Sequence, residues 1–196
     1  MIDFNIILFD GFETLDAFGP AEIIGKMPQE YQLEYFSLQG GIVTSSQQVR
    51  VMTLPMAEMN VSGILLIPGG MGTRSLVDDT IFIDTLRQKA TQAAFVLTVC
   101  TGSGLLAKTG LLDGVQATSN KLAFSWAQSV GEEVEWIRQA RWVVAGRIYT
   151  SSGVSAGMDM ILGFISDRHG REHAVRLAHI IEYIWNENRE NDPFAI

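Results

Sequence analysis

The run Phe95-Val96-Leu97-Thr98-Val99-Cys100-Thr101-Gly102-Ser103-Gly104 constrains this chain more than any other stretch. Its apolar part is too short for a helix and reads as a buried strand, and the glycines after it open a helix. A strand that turns at once into a helix presents one side chain at the carboxyl edge of a sheet, and small residues beyond it let backbone approach backbone. Here that side chain is Cys100, the single cysteine of the chain. A nucleophile elbow of this kind predicts a partly accessible thiol, with the first free N–H groups of the following helix favouring the thiolate. The competing reading of a free cysteine is a small buried hydrophobe.

The remaining segments place this elbow in an α/β architecture. Phe4 to Asp10 and Gly63 to Ile67 are short, continuous apolar runs, the pattern of strands buried on both faces. Tyr31 to Ser37 alternates like a strand, the segment Ile42 to Thr53 leans toward β, and Arg141 to Thr150 reads as a hairpin turning at Ala145-Gly146. Pro20 fits a first helical position, which predicts a short helix over Ala21 to Ile24. A further helix begins at Asp78-Asp79-Thr80 with Ile81, Phe82, Leu86 and Ala90 on its apolar face. Lys121 to Val130 reads as another, with Leu122, Phe124, Trp126 and Ala127 assigned to the core. Helices over Met158 to Arg168 and Arg171 to Asn186 complete the pattern, which implies a doubly wound α/β sandwich.

Open sheets of this type bind ligands beyond the carboxyl ends of their strands. Glu13 and Asp16 follow the first strand, and the loop Pro68-Gly69-Gly70-Met71-Gly72-Thr73-Arg74 follows the strand ending at Ile67. The loop's glycines leave N–H groups free to face an anion or a developing charge, yet the loop matches neither a phosphate-binding loop nor a dinucleotide fingerprint. His169 and His173 have the spacing of metal ligands, but Gly170 separates them and no third ligand stands near, so neither a metal nor a cofactor is expected.

Composition narrows the partners. The chain of 196 residues is expected to form a single domain over 1–196, large enough to bury a core without metal or disulfide. One cysteine cannot close an intrachain disulfide, and Met1 to Asn5 lacks the basic region of a signal peptide, which together predict a cytoplasmic protein. No apolar run approaches the roughly 18 residues of a membrane span. Fourteen basic against 22 acidic residues give a formal charge of −8, which argues against nucleic acid and for a small-molecule ligand.

Five motifs carry a resemblance that covers almost the whole chain in order. They are Asp10-Gly11-Phe12-Glu13-Thr14-Leu15-Asp16 with Gly19-Pro20; Ile67-Pro68-Gly69-Gly70; Val99-Cys100-Thr101-Gly102; Ser152-Gly153; and Ala156-Gly157-Met158-Asp159. Together they resemble the ThiJ/PfpI superfamily, whose domains are like those of class I glutamine amidotransferases. Asp16, Thr101 and the closing Asp192-Pro193-Phe194 look most like isocyanide (isonitrile) hydratases and the sensor-like domains of certain transcription regulators. The resemblance implies a flavodoxin-like three-layer sandwich around a mainly parallel sheet, usually as a homodimer. It implies Cys100 as nucleophile, Asp16 as acid/base, and Thr101 shaping the pocket. Gly69, Gly70 and Gly153 would bind the substrate or transition state, with the N–H groups of Gly70 and Thr101 facing the reacting atom. Protease-like relatives have histidine directly after the cysteine, where this chain has Thr101. Some relatives have histidine where this chain has Asn120, and deglycase-like relatives carry glutamate as the acid.

The expected activity is therefore cofactor-free hydration of an isocyanide to an N-substituted formamide, through a thioimidate on Cys100. The alternatives are a glyoxalase- or deglycase-like enzyme acting on reactive carbonyls, and a ligand- or redox-sensing domain without turnover.

Overall fold

The computed structural model describes residues 1–195; Ile196, part of the expected domain, lies outside the described residues. In chain order the elements are β1 (Ile2–Ile7), α1 (Thr14–Gly25), β2 (Tyr31–Ser37), β3 (Gly41–Thr44), β4 (Arg50–Pro55), β5 (Ile64–Ile67), α2 (Thr73–Leu76) and α3 (Thr80–Gln92). They continue with β6 (Phe95–Thr98), α4 (Gly102–Lys108), β7 (Gln116–Ala117), α5 (Phe124–Val130), β8 (Glu135–Trp136), β9 (Trp142–Ala145), β10 (Ile148–Ser151), α6 (Ser155–His169) and α7 (Arg171–Ile180).

Eight strands form one sheet in the order β3-β4-β2-β1-β5-β6-β10-β9, and β7 and β8 form a small parallel pair. The inner pairings, from β4-β2 through β6-β10, are all parallel, and only the edge strands β3 and β9 run antiparallel to their neighbours. This follows from composition. The four residues of β5, Ile-Leu-Leu-Ile, are all buried, as a strand covered on both faces requires. The chain leaves β1 for β2 in one direction and leaves β5 for β6 in the other. Right-handed crossovers then put α1 and α3 on opposite faces of the sheet. Contacts group α1 with α6 and α7, and α4 with α2, α3 and α5, so the two helical layers are distinct. The loops after β1 and β5 diverge at this switch point, the crevice where such sheets bind ligands.

Several sequence expectations shift. α1 begins at Thr14, so Pro20 lies inside the helix rather than at its start. The missing proline N–H costs one helical bond. Packing holds the helix regardless: a Cβ on Gly19 would lie 2.8 Å from Met158 Cγ, so α1 and α6 meet closely there. α5 starts at Phe124, not Lys121, and Leu122 is fully exposed rather than in the core. The hairpin turns at Gly146-Arg147, where Gly146 has φ +60°, one residue later than expected. α7 stops at Ile180 instead of Asn186. Glu182 takes φ +52° and the chain doubles back, because Tyr183, Trp185 and Asn186 all bond to Asp159. The helix over Thr80 to Gln92 matches its expectation, capped by Asp79, whose Oδ1 accepts from Phe82 N–H at 3.0 Å. No helix among the described residues is long and apolar enough to cross a membrane.

Candidate active site

Cys100 sits between β6 and α4 with φ +57°, a left-handed conformation that costs a non-glycine residue energy and is held by its surroundings. Its N–H donates to Ser152 O at 2.9 Å, and its carbonyl accepts from Ser103 Oγ at 3.0 Å and Ser119 Oγ at 3.1 Å. Three segments thus fix one backbone unit. The thiol is 7% exposed, which is less open than the expected accessible nucleophile, yet it lines a cavity of about 480 Å³.

The loops after β1 and β5 are stitched together. Glu13 N–H donates to Gly69 O at 2.8 Å, Gly72 N–H to Gly11 O at 3.1 Å, and Phe12 bridges Gly70. This seam brings Asp16, on the first turn of α1, to Cys100. Asp16 is fully buried, and its Oδ2 accepts from Gly69 N–H at 2.9 Å. Its Oδ1 is buried without a partner of ordinary hydrogen-bond geometry. Gly69 must be glycine for this arrangement: a Cβ there would stand 2.5 Å from Thr101 N and 2.9 Å from Cys100 Cβ. Thr101 Oγ1 accepts from Gly70 N–H at 3.0 Å and meets Thr73 Oγ1 at 3.1 Å. The N–H groups of Gly69 and Gly70 are therefore engaged in holding Asp16 and Thr101. Gly153 packs against Asn120, whose Nδ2 would lie 2.3 Å from a Cβ at that position.

The electrostatics differ from the sequence expectation of a favoured thiolate. Burial pushes the Cys100 thiol up, and the Asp16 charge adds to that; the N–H and hydroxyl of Thr101 pull down without prevailing. Burial likewise raises Asp16 from 3.8 to about 7, against the lowering bond from Gly69; Glu13 raises it further, and hydrogen bonding with Cys100 lowers it. Near neutrality the pair is a neutral thiol beside a carboxyl poised to gain or lose one proton.

Glu13 lines the same cavity but is tied outward, its Oε1 accepting from Gln47 Nε2 at 2.9 Å. The opposite wall holds residues that the sequence did not mark as site residues. Arg74, from α2, lies with its guanidinium 3.5 Å from the ring centroid of Trp126, and Met71 and Leu122 complete the rim. Trp126 and Leu122, assigned to the core by helical spacing, are cavity residues here, because α5 begins late and turns that edge outward. The histidines stay away from the site: His169 Nε2 bonds Tyr31 OH at 2.7 Å and His173 Nε2 bonds Arg176 at 2.8 Å.

An isonitrile hydratase of Pseudomonas putida is 28% identical over 183 residues, which is 93% of this chain and 78% of that protein. The HTH-type transcriptional regulator GbdR of Pseudomonas aeruginosa is 29% identical across 91% of this chain, and the match spans only 50% of the regulator. The crystal structure of a ThiJ/PfpI family protein from Pseudomonas syringae superposes with a TM-score of 0.85 at 23% identity, over 94% of this chain and 76% of that one, a likeness of fold. The DJ-1/PfpI family matches residues 4–167, which include most of β1 and α6, the Gly69-Gly70 loop and Cys100, and the chain belongs to the DJ-1/PfpI family.

Proposed function

We propose that this protein hydrates an isocyanide to an N-substituted formamide, with Cys100 as nucleophile and Asp16 as its proton carrier. The observation that carries the reading is the buried Asp16 carboxyl, interacting with Cys100 and raised to about 7, with Oδ1 unpartnered. A carboxyl in that range can take and give a proton at neutral pH. The similarity to an isonitrile hydratase across 93% of the chain supports the same reading.

In the first step Sγ bonds to the terminal carbon of the isocyanide while its proton passes to Asp16. The carboxyl returns that proton to the same carbon, giving a thioimidate. Water then attacks the carbon, and one of its protons passes through Asp16 to the nitrogen. Collapse of the tetrahedral adduct breaks the C–S bond, the remaining hydroxyl proton returns to sulfur through Asp16, and the formamide leaves. Transferring the thiol proton to Asp16 avoids a free thiolate, which burial and the carboxylate charge both oppose. Thr101 offers its N–H and hydroxyl to the sulfur. Gly69 and Gly70 act through the groups they hold, and Gly153 by letting Asn120 close the wall.

Incubation with cyclohexyl isocyanide should yield N-cyclohexylformamide, while methylglyoxal under the same conditions should be left unchanged. No formamide at micromolar enzyme, or turnover of methylglyoxal instead, would sink this reading. The regulator similarity favours a second one, a domain that binds a small ligand without turning it over. Saturable binding without product would mark it. The same proposal has the chain working as a homodimer, so light scattering should give twice its 21.6 kDa.

A further inference from the structure

We infer that the cavity over Cys100 takes an anionic substrate, a small carboxylate with an apolar body whose negative group is received by Arg74. This rests on the hydratase reading for the reacting end of the molecule, but the anion subsite is argued from other residues.

Arg74 is the cation that lines the cavity with Cys100, and it is only partly exposed. Among the described residues it makes no ion pair. Its one polar contact there is a long bond from Nη1 to Thr73 Oγ1 at 3.3 Å. A guanidinium carries five N–H donors, so most of this fork is unspent. Stacking at 3.5 Å on Trp126 fixes its plane, and a preorganised planar fork matches a carboxylate in bidentate fashion at little entropic cost. The acid in the same cavity, Glu13, is bonded to Gln47 instead. Leaving a stacked cation unpaired in a chain of formal charge −8 makes sense if the ligand brings the counter-charge. Arg74 and Cys100 line the same cavity, so a single ligand seated there faces both.

The rim supplies the apolar part. Met71 and Leu122 are both strongly exposed, and with the Trp126 ring they line the mouth of the cavity. The volume of about 480 Å³ suits a body of several carbons between the two ends.

The test is binding, read from the Trp126 indole N–H resonance, assigned by its loss in Trp126→Phe. Cyclohexanecarboxylate and cyclohexanecarboxamide serve as probes matched in shape. The carboxylate should bind at least about tenfold more tightly, the factor that 1.4 kcal/mol represents. Arg74→Gln should abolish the preference and Arg74→Lys should keep part of it, since lysine retains charge but loses the fork and the stacking. Equal affinities in the natural protein, a preference surviving Arg74→Gln, or no saturable binding of the carboxylate would each overturn the inference. Cyclohexyl isocyanide, assayed in parallel, separates the two proposals. Turnover of that neutral substrate without a carboxylate preference removes the subsite and leaves the hydratase. A carboxylate preference with no turnover does the reverse.

Discussion

Among the described residues two side-chain carboxylates are completely buried, and they are partnered differently. Asp159, on α6, receives four donors: Arg141 Nε and Nη2, both at 2.6 Å, Tyr183 OH at 3.1 Å and Asn186 N–H at 2.9 Å. Asp192 lies beside the same arginine, 3.6 Å from its Nη1, so the last segment of the chain is drawn in by a buried charge cluster. Asp16 receives the Gly69 N–H, no cation among the described residues contacts it, and one of its oxygens has no ordinary partner. A buried carboxylate costs several kcal/mol unless it is paired and hydrogen-bonded. At Asp159 burial still holds the carboxyl above its ordinary value, but Arg141, Asn186 and Tyr183 all work against it and the group fastens structure. At Asp16 the cost is left outstanding, and the consequence is a proton held near neutrality. The comparison teaches that burial alone does not distinguish a structural acid from a chemical one; the donor inventory around it does.

The largest effect should come from the chemical side. Cys100→Ala should reduce isocyanide hydration by on the order of 10³-fold or more while the circular dichroism spectrum and melting temperature stay close to those of the natural protein. Retained turnover would move the nucleophile elsewhere and break the contrast. On the structural side, Arg141→Ala strands Asp159, and urea denaturation should show a loss of about 3–5 kcal/mol. A loss below about 1 kcal/mol would mean that this cluster is not what fastens the tail.

Asp16→Asn keeps size and removes proton transfer, so turnover should fall about 10²-fold. The same variant sharpens the comparison through pH. The folded protein holds the Asp16 proton up to about 7, whereas the unfolded chain releases it near 3.8. Between those values the native state binds more protons than the unfolded one, so this group's stabilising contribution is whole below pH 4, falls as pH rises, and is gone above 7. Asp16→Asn should therefore gain on the order of 2–4 kcal/mol relative to the natural protein between pH 4 and pH 8. Parallel stability curves for the two proteins would show that Asp16 is not held protonated. The smallest effect is assigned to Glu13→Gln, with less than about a threefold change in kcat/KM, because Glu13 faces Gln47 and only adds charge near Asp16. A loss as large as that of Asp16→Asn would exchange the roles of the two acids.

Much of this was legible in the sequence. The apolar runs at Ile64 to Ile67 and Phe95 to Leu97 specify parallel strands, since a strand covered on both faces buries nearly all of its side chains. Cys100 followed by Thr101 and Gly102 specifies the turn, because the end of the neighbouring strand β5 at Ile67 and Pro68 passes within contact of Gly102. What the local pattern misread was set by distant partners. Pro20 looked like a helix start until Gly19 met Met158, and the Arg171 helix looked longer until Asp159 captured Tyr183, Trp185 and Asn186.

The sequence by itself determined the α/β class, the main buried strands and the strand-to-helix turn at Cys100, since these follow from periodicity and short-range sterics. Only the tertiary structure decided that Asp16 lies buried against Cys100 with an unpartnered oxygen, that the thiol is driven up rather than down, and that Arg74 stacks on Trp126 across the cavity. The physical reason is that desolvation, charge pairing and stacking depend on which groups share a small volume. That volume is assembled here from five segments far apart in the chain.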